Sequence, residues 1–121
     1  MAVGAIFGLL SVVAGALAVH SLRGVLDAGA LNTFETAARF QMYHALALMA
    51  TGLLADRLRS RLITWAGGLF TAGTVIFSGS LYILALTGIG AFGAVAPVGG
   101  LSLIAGWTAL VFGILGYKGR Q

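Results

Sequence analysis

Four apolar runs dominate this sequence and leave few folds open to it. Ala2–Leu22, Thr33–Ala55, Leu62–Leu86 and Pro97–Tyr117 each reach the roughly 20 residues that a helix needs to cross a hydrocarbon core about 30 Å thick. Backbone groups in lipid find no water to bond, so each run must satisfy its own N–H and C=O groups, as a helix does. Charged residues make up only 8% of the 121 residues, against 60% hydrophobic. A water-soluble domain carries about 25% charged residues, so too few are present here to cover a wetted surface. The expected fold is therefore an all-α membrane protein, one domain over residues 1–121, with four transmembrane helices at about 2–22, 33–55, 62–86 and 97–117. Ala16-Leu17-Ala18 imitates a signal-peptidase site, but no basic residue precedes the run, so the first segment is expected to stay in place as a helix.

Nineteen glycines stand against one proline. In lipid, small residues let helix backbones approach closely. Here they recur at alternating steps of three and four: Gly4, Gly8, Ser11, Gly15 and Ala18 in the first run; Ala38, Gln41, Ala45, Leu48 and Gly52 in the second; Gly67, Thr71, Thr74 and Ser78 in the third; and Gly99, Ser102, Gly106, Ala109, Gly113 and Gly116 in the fourth. A mean step near 3.5 residues holds a stripe on a left-handed seam. A tightly packed, left-handed antiparallel bundle is expected, with crossings near about +20°.

Orientation follows from Lys and Arg, which collect on cytoplasmic connections. Arg57, Arg59 and Arg61 lie between the second and third runs, and Lys118 and Arg120 in the C-terminal tail; only Arg23 and Arg39 lie on the other side. With four spans, both termini are expected to be cytoplasmic. Local signals suggest the helix ends. Asn32 followed by Glu35 reads as a capping box opening the second helix. Pro97 suits the first turn of the fourth, where a missing N–H costs nothing. Residues 23–31 read as a short amphipathic interfacial segment, and glycine-rich Thr87–Ala96 as a tight connection.

Most of the polar chemistry sits in Asn32–Leu48, NTFETAARFQMYHALAL. At 100° per residue it divides into two faces. Glu35, Arg39 and Tyr43 share one stripe, in the favourable order for an ion pair four residues apart; near the headgroups such a pair holds a helix at its depth. Gln41 and His44 share another. His44 lies nine residues beyond Glu35, about 13 Å deeper, and an ionisable group at that depth is either a functional site or a neutral histidine tied across the bundle. Ser78 and Trp107 match its depth, so a layer of His44, Gln41, Ser78 and Trp107 is expected. His20, at the outer end of the first helix, is expected to pair with Glu35. The two histidines differ in depth by about 10 Å, which argues against joint ligation of a haem or metal.

No cysteine is present, which removes disulfides, thiolate metal sites and cysteine nucleophiles. No serine–histidine–acid set, phosphate loop or acidic metal box is found, so neither an enzyme nor a cofactor is expected. The basic residues form no dense stripe, so nucleic acid is not an expected partner. The lipid bilayer is one; a homo-oligomer or a larger membrane complex would suit the small-residue seams.

Several stretches resemble a known family, domain of unknown function 423, which includes small bacterial inner-membrane proteins and the related transmembrane protein 256 of animals. FETAARFQMYHALAL (Phe34–Leu48) looks like its signature. GALAVHSLR (Gly15–Arg23) is similar to its glycine-alanine run, with His20 at the family histidine. FSGSLYILALTG (Phe77–Gly88) is close to its third-helix motif, and Pro97–Gly100 with Gly106-Trp107 to its fourth. The family usually has a phenylalanine and a second glycine before the histidine, where this chain has Leu17 and Ala18. The resemblance implies a four-span, multi-pass protein of the cell (inner) membrane and no particular activity. Two functions are open: a structural or accessory membrane component, or a small oligomeric transporter or channel with a polar path at His44 and Gln41. A dry, internally bonded His44 would favour the first, and a water-filled path touching it the second.

Overall fold

In the computed structural model, which describes residues 1–117, the chain is all-helical. It has four helices: α1 (Ala2–His20), α2 (Ala28–Leu58), α3 (Arg61–Thr87) and α4 (Ala91–Leu115). Lys118 and Arg120, used in the orientation argument, lie outside the described residues. The helices pack in chain order, α1 on α2, α2 on α3 and α3 on α4. Each neighbouring pair is antiparallel, as paired positions show: Gly4 meets Ala45 while Ser11 meets Ala38, and Ala37 meets Ser78 while Thr51 meets Gly67.

Two helix starts differ from the sequence expectation. α2 begins at Ala28, and its cap is Asp27, whose Oδ1 accepts from the Ala30 amide at 2.7 Å. Asn32 therefore lies inside the helix, with its carbonyl accepting from the Thr36 hydroxyl at 2.8 Å, and the Asn32–Glu35 capping box does not form. Asp27 is the stronger signal because it directly precedes the helical AGAL stretch, and residues 28–31 form the first turn of α2 instead of an interfacial segment. α4 begins at Ala91, so Thr87–Ala96 is mostly helix and Pro97 lies in its interior. The Ala91–Ala96 stretch holds one glycine and no charge, and nothing in it breaks a helix. Pro97 leaves one carbonyl of the preceding turn without its amide partner, which helices in lipid accommodate.

The closest packing is between α3 and α4. Gly99, Gly106 and Gly113, each seven residues apart, are buried against Phe77, Phe70 and Ile63, which step back by seven along α3. A Cβ built on Gly106 would lie 2.7 Å from the Phe70 ring, and one on Gly113 2.7 Å from Ile63. Leu103 and Leu110 fill the alternate positions, giving the three-four spacing of a left-handed seam. Within the expected stripes, Gly4, Ser11 and Ala18 of α1 and Ala38, Gln41, Ala45 and Leu48 of α2 are buried; a Cβ built on Gly15 would meet no other part of the chain within 4 Å. One serine ties each neighbouring pair: Ser11 donates to Ala38 O at 3.2 Å, Ser78 to Ala37 O at 2.8 Å, and Ser102 to Leu69 O at 2.9 Å.

Two apolar cores result. Ala47, Leu48, Ile63, Ala66, Phe70, Leu103 and Leu110 join α2, α3 and α4. Ala14, Ala18, Phe34, Ala38 and Ala85 join α1, α2 and α3 at the other end, where Leu22 and Leu26 of the first connection pack against them. Large apolar side chains such as Leu9, Val12, Leu101 and Ile104 face outward, as lipid allows. α1, α3 and α4 are long and apolar enough to cross a membrane. The 31-residue α2 is longer than any of them but more polar. Its polar positions Gln41, His44 and Thr51 are buried between its neighbours.

The seam makes a prediction. Gly106→Leu should cost about 1–3 kcal/mol by overpacking, whereas Gly15→Ala, in open space, should be neutral or stabilise by up to about 1 kcal/mol. Unfolding in detergent micelles measures both, and equal effects at the two sites would contradict this packing.

Candidate functional site

The sequence placed a polar layer midway along the bundle, and the structure resolves it into two separate bonded sets on α2. The first centres on His44, which is 4% exposed. Its Nδ1 lies 2.7 Å from the Phe40 carbonyl, and its Nε2 lies 3.0 Å from the Trp107 Nε1 of α4. A carbonyl only accepts and an indole N–H only donates. The ring is thus neutral, with its proton on Nδ1 and its Nε2 lone pair facing Trp107. A protonated ring would aim Nε2–H at the indole N–H. Phe70 stands edge-on to Trp107 at 5.0 Å and lies 5.5 Å from the imidazole, closing the pair from α3. Trp107 itself is 44% exposed, so the indole separates His44 from the lipid.

The second set centres on Gln41, one turn away and buried. Its Nε2 donates to the Phe7 carbonyl of α1 at 2.8 Å, and its Oε1 accepts from the Tyr82 hydroxyl of α3 at 2.7 Å. Gln41 thereby bridges three helices. Tyr82 also stands edge-on to Phe34 at 4.9 Å. Tyr82 was not among the sequence candidates, although it lies one helical turn beyond Ser78 in the FSGSLYILALTG motif; that spacing was the available signal. Ser78 is buried as expected but bonds the Ala37 carbonyl, so it joins neither set.

The other candidates lie at the surface. The Arg39 Nη1 is 4.0 Å from the Glu35 Oε2, with the two side chains 50% and 41% exposed, and Arg39 also donates to the Thr36 hydroxyl at 3.2 Å. A pair so exposed contributes little to stability. Tyr43 is exposed on the same face. His20 is exposed, and among the described residues it makes no bond to Glu35. The expected pair fails because α2 starts five residues earlier and Glu35 turns to Arg39 on its own helix. No group of three or more His, Asp or Glu converges among the described residues.

Comparison with known proteins adds the family. The chain matches the family described as Protein of unknown function (DUF423) over residues 14–100. It is similar to a UPF0382 membrane protein of Staphylococcus haemolyticus, 43% identical over 96% of this chain and 94% of that protein. The UPF0382 membrane protein YwdK of Bacillus subtilis is also 43% identical, over 94% of both chains. The UPF0382 inner membrane protein YgdD of Escherichia coli is 35% identical, over 94% of this chain and 87% of that protein. No solved structure matches.

The His44–Trp107 bond should show in a double-mutant cycle. His44→Phe and Trp107→Phe are each expected to destabilise, with a coupling of about 1 kcal/mol, within the range for bonds between membrane helices. Additive losses would mean that the two rings touch without a net bond.

Proposed function

The chain belongs to the family described as Protein of unknown function (DUF423), and we propose that it acts as a structural or accessory component of the cell membrane. It is a multi-pass protein in this reading, with four spans. α2 packs lengthwise between α1 and α3, which are apolar enough to cross, so it crosses where they do, with its polar residues turned inward. Arg57, Arg59 and Arg61, three of the five arginines among the described residues, lie at the α2–α3 connection, which supports a cytoplasmic position for that connection and, with four spans, for both termini. The Escherichia coli relative, named an inner membrane protein, supports that location.

The observation that carries the functional reading is the state of His44. Its residue is 4% exposed and both ring nitrogens are bonded within the chain. A histidine that relays protons or lines an aqueous path needs a ring nitrogen open to exchange. This one is held between Phe40 and Trp107. The relatives' names give no activity, and no group of three or more His, Asp or Glu converges among the described residues. What the fold does offer is an apolar perimeter and helices held at fixed register, suited to membership of an assembly.

The test is reconstitution. Proteoliposomes bearing the full chain are expected to match empty vesicles in proton and alkali-cation permeability. A flux that disappears in His44→Phe would overturn the reading in favour of transport. Isolated at native abundance in mild detergent, the protein is expected to run with an assembly larger than its 12.3 kDa chain. Recovery only as a free monomer would count against an accessory role.

A further inference from the structure

A cleft opens between α1 and α3 above Gln41. It is formed by two adjoining cavities of about 340 and 190 Å³ that share Leu10, Gln41 and Tyr82. Its upper part runs between Leu17 of α1 and Leu86 of α3; its lower part is bounded by Gly79 and Thr74. Leu10, Leu17 and Leu86 are each about half exposed, so the cleft opens sideways to lipid. An apolar cavity of a few hundred Å³ with a few convergent polar groups is the usual form of a small-molecule site.

The polar groups have unused capacity. Gln41 spends one amide N–H on Phe7 and one lone pair on Tyr82, leaving a second N–H free. Thr74 is more telling. It is 3% exposed, and its hydroxyl is the only buried side-chain polar atom without a partner among the described residues. Threonines within helices return their hydroxyl to the carbonyl four residues back. The other seven of the chain's eight threonines do so: Thr33, Thr36, Thr51, Thr64, Thr71, Thr87 and Thr108. Thr74 alone does not, and Thr74 lines the cleft. Both residues line the lower cavity, and an acceptor seated there would satisfy both donors once the Thr74 side chain, whose hydroxyl is shielded in this rotamer, turns toward it.

Depth narrows the acceptor. Thr74 lies at the middle of the 27-residue α3, and Gln41 close to the middle of the 31-residue α2. Phospholipid ester carbonyls stay at the edge of the hydrocarbon layer, about 15 Å from its centre. An acceptor at mid-depth must belong to a lipid-soluble molecule that carries its carbonyl into the hydrocarbon. We infer that the cleft binds a compound of the quinone class. One ring carbonyl accepts from Gln41 and Thr74, and the apolar tail lies along Leu10, Leu17 and Leu86. This binding stands whether or not the protein proves to be an accessory subunit.

The full chain in phosphatidylcholine nanodiscs free of quinone provides the assay, with decylubiquinone as the probe and the thermal midpoint as readout. A saturable rise in midpoint is expected, and none with decane, which has the tail without the carbonyl. Gly79→Leu projects into the cleft from a position with no neighbour within 4 Å and should weaken binding at least tenfold. Gly68→Leu, an equally open glycine on α3 that faces a different cavity, should leave it unchanged. Thr74→Val should raise the midpoint of the unliganded protein by removing an unsatisfied hydroxyl, and weaken quinone binding several-fold. The inference is overturned by any of three results: no saturable shift, an equal shift with decane, or the same loss in Gly68→Leu as in Gly79→Leu.

Discussion

A polar side chain inside a membrane protein must find its partner within the protein, because lipid offers none. That constraint governs α2, and through α2 the rest of the chain. Gln41 and His44 lie three residues apart on one helix, yet they reach different neighbours: Gln41 bonds α1 and α3, and His44 bonds α4. Between them they touch every other helix. α2 is also the helix least suited by composition to stand alone in lipid, and like α3 it has packed neighbours on both sides. The order of packing thus matches the order of need, with apolar α1 and α4 outside and polar α2 inside.

Much of this was legible beforehand. Four helices follow from four apolar runs, and the burial of Gln41 and His44 together with the exposure of Arg39 and Tyr43 follows from helical angle alone. The partnership of His44 with Trp107 was readable as matched depth, because depth along antiparallel helices converts directly from residue count. What could not be read was direction within a layer. Ser78 shares the depth of His44, but its hydroxyl finds a backbone carbonyl, and any carbonyl serves. Helix starts failed for a related reason. Asn32 and Asp27 are both competent caps, and glycine-rich Thr87–Ala96 reads as a loop in water, yet from Ala91 onward it is helical, as backbone without solvent to bond must be. Water-based propensities mislead in lipid because the cost of an unpaired amide outweighs the flexibility of glycine.

The threonines bring out the same rule from the other side. Seven hydroxyls are returned to their own helix, so they are silent toward their surroundings. The eighth, Thr74, is set apart by hydrogen-bond accounting, since neither its residue type nor its burial is unusual. Serine behaves differently here: Ser11, Ser78 and Ser102 all donate across to a neighbouring helix. These three serines tie helices together, whereas seven threonines satisfy themselves. A threonine that does neither stands out against that background.

The α3–α4 seam has a weakness that the His44–Trp107 bond corrects. Gly99, Gly106 and Gly113 repeat every seven residues against Phe77, Phe70 and Ile63. A slip of one repeat would therefore present glycine to a large side chain again at two of the three positions. The tie from Ser102 to Leu69 offers no protection, since after the slip the hydroxyl would meet another carbonyl. Trp107 and His44 are different, because each chain has one such pair at matching depth. A seven-residue slip would carry the indole about 10 Å along the axis, leaving the Nε2 lone pair of His44 unpaired in an apolar core. The bond contributes only about 1 kcal/mol between membrane helices, but the unpaired state it prevents costs more. Its weight thus falls on the wrong register and hardly on the right one, which is how one buried polar contact selects a single packing from a repetitive seam.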